Sequence, residues 1–256
     1  MKAIVFEKLG GPDVLSIAEV PKPDARPGTV LIRTHAIGVN FADTRFRQGT
    51  YVVKPKLPDT PGLEAAGVIE AVGDGVTSLR PGTRVAAFAS KSYAEYCLAP
   101  APMVIPLPEF VSFTDGADAV INYAKEKFAD ETLRLTDGRG VDLILDAVGK
   151  PTFEEGLRCL APFGHPILYG RAGGPTDPLN VATLSPKSIK VSGFMLPAVT
   201  RGFPDKTRES AERCFGLMRE GRLKLHIGQT FPLAQAAEAH RHLESRQSMG
   251  KLILVP

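Results

Sequence analysis

The side chains in this chain that could do covalent or metal chemistry are few and scattered. Cys97, Cys159 and Cys214 lie far apart with no CxxC pair, a pattern that gives neither a disulfide framework nor a structural zinc site. The histidines are His35, His165, His226, His240 and His242; the last two stand two apart at the end of a helical pattern, so they share no face and read as solvated surface. No nucleophile and no acid–base dyad is evident. Two glycine-rich stretches are candidates for a phosphate. Val72-Gly73-Asp74-Gly75-Val76 joins strand to strand and offers no helix N-terminus, so it reads as a turn. Gly170-Arg171-Ala172-Gly173-Gly174 follows a strand and carries a cation, but Pro175 and the irregular residues behind it open no helix. Asp146 ends an apolar run, and Ala147, Val148 and Gly149 follow it where open α/β sheets bind ligands. The chemistry on offer is binding and orientation.

Two kinds of framework must position these residues. Over residues 1–112, KAIVF, VLSIAEV, TVLIRTHAIGV, AAGVIEAVG and TRVAAFA have strand composition and are separated by Gly/Pro turns. They predict a barrel-like or sandwich β domain. From Thr114 the style changes to a helix (FADETLRLTDGRG), an unalternating strand (VDLILDAVG), a helix and turn (PTFEEGLRCLAPFG), and the strands HPILYG and IKVSGF. That alternation is the mark of a parallel sheet. Residues 205–223 read as an amphipathic helix, AQAAEAHRHLESRQ as another and GKLILVP as a closing strand. The 256 residues, 43% apolar and 23% charged, with a net charge of +3, describe an ordinary globular protein. They give no nucleic-acid footprint, no membrane span and no signal peptide, and a reducing cytoplasm is expected.

GVNFADTRFRQGTY, PGLEAAGVIEAVGDGV, PGTRVAAF with SYAEYCLAP, and the tail LESRQSMGKLILVP occur in an order and spacing similar to the zinc-free, zeta-crystallin-like quinone oxidoreductases of the medium-chain dehydrogenase/reductase family. The resemblance covers essentially the whole chain. It implies an α/β fold: a β-rich GroES-like catalytic domain over 1–113 and 226–256, and a Rossmann-like nucleotide-binding domain over 114–225. It also implies hydride transfer from NADPH to a small-molecule quinone or enone, in a cytoplasmic homodimer. Zinc-dependent relatives have Cys where this chain has Asn40, and Gly-His-Glu where it has Gly62-Leu63-Glu64. Leucine cannot ligate and asparagine is a poor replacement for thiolate, so no zinc is expected.

The resemblance breaks at one place. Phe113-Thr114-Asp115 runs straight into GADAVINY, a stretch that in the family follows the second strand of the sheet and its helix. A helix and an opening βαβ unit, on the order of 60–70 residues, have no counterpart. With them go the pyrophosphate-binding turn and two central strands, so the expected sheet is truncated. VDLILDAVG becomes an apolar edge unless VINY pairs with it directly or a partner chain covers it.

The family pattern assigns roles residue by residue. Asn40, Asp43 and Tyr51 match positions beside the nicotinamide and the substrate. Tyr123 matches a tyrosine beside the adenosine 2′-phosphate, with Lys125 or Lys127 as further charge. Ala147, Val148, Gly149, Gly170, Arg171 and Phe194, with Met195 and Leu196, line the cofactor cleft. Lys251 lies near the nicotinamide, in a tail with Arg246 and Gly250. The alternative is a non-catalytic relative with lost cofactor binding that acts as a binding or oligomerising protein.

Overall fold

The computed structural model describes residues 1–106, 123 and 125–256. The chain divides into two compact units, Met1–Gly116 with Thr200–Pro256, and Ala117–Val199.

The first unit begins with a hairpin of β1 (Lys2–Val5) and β2 (Ser16–Glu19), paired antiparallel. Its spine is β3 (Thr29–Val39), which is followed at once by helix α1 (Phe41–Arg47). Then come β4 (Glu64–Val72), β5 (Arg84–Phe88), β6 (Tyr96–Pro100) and β7 (Val104–Pro106).

The sequence of β3 explains its central place. Val30 and Ile32 point into one buried cluster with Ile69, Val85 and Val104, whereas Ile37 and Val39 point into another with Phe6, Tyr93 and Leu254. Even-numbered positions face the first core and odd-numbered ones the second. A strand alternates strictly, so it changes face only where its register slips. The pairing with β4 slips between Thr34 and Ala36. One irregular residue thus lets a single strand serve both cores.

The second unit holds α2 (Phe128–Leu135), β8 (Val141–Asp146), α3 (Lys150–Arg158), β9 (Leu160–Leu168) and the short β10 (Ser192–Gly193). Its sheet is parallel, in the order β10-β9-β8, a truncated Rossmann-like sheet. The strand expected at HPILYG starts earlier, at Leu160, and takes in the APFG read as helix end and turn. Pro162 and Gly164 are poor helix formers, and Phe163 adopts a left-handed φ of 63° there.

The chain then forms α4 (Leu196–Gly202) and α5 (Pro204–Arg219). It returns to the first unit's sheet through β11 (Ile227–Pro232), α6 (Ala236–Glu244) and β12 (Lys251–Val255). That sheet runs β11-β12-β3-β4-β5-β7, with β6 pairing β3. The helix expected over 205–223 is α5, and none of its residues is fully buried.

The truncation leaves its mark on β8. Ile144 packs toward Gly156 of α3, but Leu143 and Leu145, on the other face, are 52% and 63% exposed. Among the described residues β8 is the sheet edge; the VINY segment expected beside it lies outside them, apart from Tyr123. Replacing both leucines with lysine should therefore raise solubility and lower dye binding to apolar surface. Unfolding free energy should change by no more than about 0.5 kcal/mol per site. A large loss of stability in urea titration would show that these side chains are covered.

Candidate functional site

The first group of site residues is built by the step from β3 to α1. Asn40 ends the strand and its extended backbone starts the helix. Asp43, three residues on, accepts the Asn40 backbone N–H on Oδ2 at 2.8 Å. This N-x-x-D spacing is one half of a capping box, a local signal that marks the start of α1. The Asn40 side chain is turned by β12: Lys251 Nζ donates to Asn40 Oδ1 at 2.7 Å. Lysine has only donors, so that contact fixes the amide, with Oδ1 toward Lys251. Lys251 also pairs with Glu64 of β4 at 2.6 Å. Gly38 makes room for the pair, because a Cβ there would lie 1.7 Å from Glu64 Oε1. Asn40, Lys251 and Glu64 are each partly exposed.

Asp43 itself is fully buried. It touches the site through Asn40. Burial pushes its carboxyl up to about 7, and Glu64 adds to this, while the Asn40 N–H, Lys251 and Tyr93 oppose it. Its Oδ1 has no hydrogen-bond partner among the described residues. Tyr51, half-buried after α1, has its phenol pushed up by burial and then by Asp43.

Behind Asp43 lies a cluster that sequence reasoning did not find. Tyr93 Oη is 3.4 Å from Asp43 Oδ2 and 2.9 Å from His240 Nε2. His240 Nδ1 is 3.0 Å from Arg47, whose other nitrogen bonds Glu244 at 2.6 Å. Tyr93, His240 and Arg47 are all fully buried. The surface reading of His240 is therefore corrected: α6 turns Ala236, Ala239, His240 and Leu243 inward on one stripe. Arg47 and Glu244 are nearly 200 positions apart, so no spacing rule could have paired them. Burial, and then the Arg47 charge, lower the His240 imidazole to about 3.

The second unit brings together the other group. Ala172 N donates to Ala147 O at 3.1 Å, and Gly173 N to Val148 O at 2.7 Å. Residues 147–149 and 170–174 therefore run side by side beyond the ends of β8 and β9. A Cβ on Gly170 would lie 2.4 Å from Ala147 O, so only glycine allows that approach. Phe194 N donates to Leu168 O at 2.9 Å, which places Phe194 beyond the same ends of the strands, and Phe194 and Met195 are both about half exposed. The N-terminus of α3 is already occupied. Asp146 Oδ1 accepts from Val148 N at 2.7 Å and Gly149 N at 3.0 Å, and Thr152 Oγ1 donates to it at 3.0 Å. Tyr123, Lys125 and Lys127 are exposed, while Arg246 has a left-handed backbone and Gly250 meets His226. The described residues contain no group of three metal-ligating side chains. Burial pushes the Cys97 thiol up to about 12, which removes it as a nucleophile.

Comparison with known proteins agrees with this architecture. An alcohol dehydrogenase GroES-like domain model matches residues 26–109, and a zinc-binding dehydrogenase model matches residues 116–254. The chain is 30% identical to a quinone oxidoreductase of Pseudomonas aeruginosa over 325 positions, covering 100% of this chain and 99% of the relative. The chain belongs to the medium-chain dehydrogenase/reductase family. Within that family it is also 28% identical to a 2-haloacrylate reductase of a Burkholderia species, with 99% and 98% of the chains covered. It superimposes on the Escherichia coli quinone oxidoreductase complexed with NADPH with a TM-score of 0.89, at 26% identity and full coverage of both. An alignment of 325 positions on a chain of 256 leaves about 70 positions of the relative unmatched, the size of a helix with an opening βαβ unit.

The buried pair in this family member has a measurable signature. The free carboxyl value is 3.8 and the native one about 7, so between them the native state holds a proton that the unfolded chain has lost. That contribution to stability falls as pH rises through the window. For His240 the free value is 6.5 and the native one about 3. There the unfolded chain holds the extra proton, and stability falls as pH drops. Between about pH 4 and 6.5 the two slopes cancel. Asp43→Asn should expose the histidine slope, so relative stability falls on acidification by up to about 1.4 kcal/mol per pH unit. His240→Gln should expose the opposite slope. Urea titrations across that range that run parallel to wild type in both variants would refute the assignment.

Proposed function

We propose that this chain is an NADPH-dependent reductase of quinones or enones that works without zinc. The observation that carries this reading is the Lys251 ammonium set between Asn40 and Glu64. In zinc-dependent relatives, cysteine takes the Asn40 position and histidine the Leu63 position. Here a fixed organic cation stands between the two polar side chains that remain, and a dication beside it would be repelled. With Oδ1 held by Lys251 and one Nδ2 hydrogen given to the Gly38 carbonyl at 3.4 Å, Asn40 keeps its second Nδ2 hydrogen, and the ammonium has a donor to spare. Both suit an oxygen on which negative charge develops, as a quinone or enone carbonyl does when it accepts hydride. When bound, NADPH supplies that hydride. The E. coli and mycobacterial structures similar to this chain are NADPH complexes, and its curated relatives include quinone oxidoreductases and a reductase of 2-haloacrylate, an activated alkene.

The residues present suit the two ends of the cofactor. Ala147, Val148, Gly149, Gly170, Arg171 and Phe194 would hold the nicotinamide side, with Tyr123 at the 2′-phosphate. The described residues do not fit the pyrophosphate. The helix N-terminus that follows β8, that of α3, is turned onto the Asp146 carboxylate, which repels phosphate. This favours a second reading: a family member with crippled cofactor binding that acts through association. Leu143 and Leu145 on the β8 edge support a homodimer in either case. We place 1–113 with 226–256 as catalytic domain, 114–225 as cofactor domain, and the protein in the cytoplasm. Among the described residues no helix is long and apolar enough to cross a membrane.

A calorimetric titration with NADPH separates the two readings. Saturable binding below about 1 mM, with NADPH oxidation that depends on a quinone, is expected for the reductase. No binding at that concentration would leave the associating protein. In the active case Lys251→Met should lower kcat/KM roughly 100-fold, and chelator or added zinc should change neither rate nor thermal midpoint. Activation by zinc would overturn the zinc-free assignment.

A further inference from the structure

The buried cluster behind Asn40 has a direction. Arg47 carries donors only, so at 3.0 Å from His240 Nδ1 it makes that nitrogen the acceptor. A neutral imidazole then keeps its single proton on Nε2, which donates to Tyr93 Oη at 2.9 Å. Having accepted there, the Tyr93 hydroxyl turns its own proton toward Asp43 Oδ2, 3.4 Å away. The same oxygen accepts the Asn40 backbone N–H at 2.8 Å. Each bond from Arg47 to Tyr93 therefore points toward Asp43, which serves as acceptor for both Tyr93 and Asn40. Passing protons along this line is excluded by the same count, because His240 would become an imidazolate and the guanidinium beside it does not give up a proton.

We propose that Arg47, His240 and Tyr93 are positioning residues for the reduction: they keep Asp43 as the acceptor of the Asn40 N–H, and so keep the Asn40 amide aimed at the substrate carbonyl. The proposal rests on the reductase reading only for what Asn40 does, not for the chain itself. The groups that face Asp43 from other elements are Glu64 on β4, Lys251 on β12, Tyr51 after α1 and His240 on α6. Of these, His240 acts on Asp43 only through Tyr93. Glu244 stands at the far end and balances Arg47.

Nitrogen-15 NMR of the histidine rings in the full-length protein, with no cofactor added, is the first test. His240 should show a protonated Nε2 and a bare Nδ1, unchanged between about pH 5 and 8. The reversed tautomer, or titration within that range, would overturn the proposal without any variant being made. Tyr93→Phe is the second test. The backbone amide hydrogen of Asn40 should exchange about tenfold faster, and kcat should fall about tenfold with KM for NADPH unchanged. Exchange at the wild-type rate would sink the chain. If the wild type turns over no quinone, the tautomer and the exchange rate still decide the proposal, and that failure falls on the reductase reading alone.

Discussion

A guanidinium with no exposed surface makes severe demands on the structure around it. Burying a charge without partners costs several kcal/mol, so Arg47 must have an anion, acceptors and a rigid surround. Glu244 supplies the anion, His240 and the Gly10 carbonyl the acceptors. These partners come from α6 and from the turn after β1, segments far apart in the chain. The native position of helix α1 is therefore tied to the packing of the C-terminal helix against it. The polar face of the site, on Asn40 and Lys251, depends on the same returning segment, since Lys251 belongs to it.

The two groups of site residues differ in how they are held. In the first unit the Asn40 amide and the His240 ring are each oriented by a partner that can only donate, Lys251 and Arg47. Orientation there follows from chemistry as much as from packing. In the second unit the loops after β8 and β9 are held by backbone hydrogen bonds and by glycine contacts, with Asp146 closing the helix turn on itself. Such an arrangement is well formed, yet the Val148 and Gly149 backbone N–H groups are already taken by Asp146 and are not offered to a phosphate. Loss of two strands removes a wall and a binding turn together, because in this fold the turn exists only as the link between those strands.

A lysine between Asn40 and Glu64 also bears on how one fold supports two chemistries. A metal and a fixed ammonium both stabilise charge on a carbonyl oxygen, but an ammonium is also a hydrogen-bond donor and needs no deprotonated ligands.

Much of this could be read from the sequence alone. The change from turn-separated strands to apolar strands with helices, the missing block before GADAVINY, the unsuitability of Leu63 as a ligand and the family pattern around Asn40, Asp43 and Lys251 are properties of residue type and order. Each depends on neighbours in the chain or on what one side chain can bond. The bent path of β3, the burial of His240 and the Arg47–Glu244 pair were decided only by tertiary structure. His240 and His242 look alike in sequence, yet the docking of α6 buries one completely and leaves the other partly exposed. Arg47 sits among other charged residues in FADTRFR, and nothing local separates it from Arg45. Burial is a property of contacts between distant segments, and neither composition nor period encodes which of two adjacent cations those contacts will enclose.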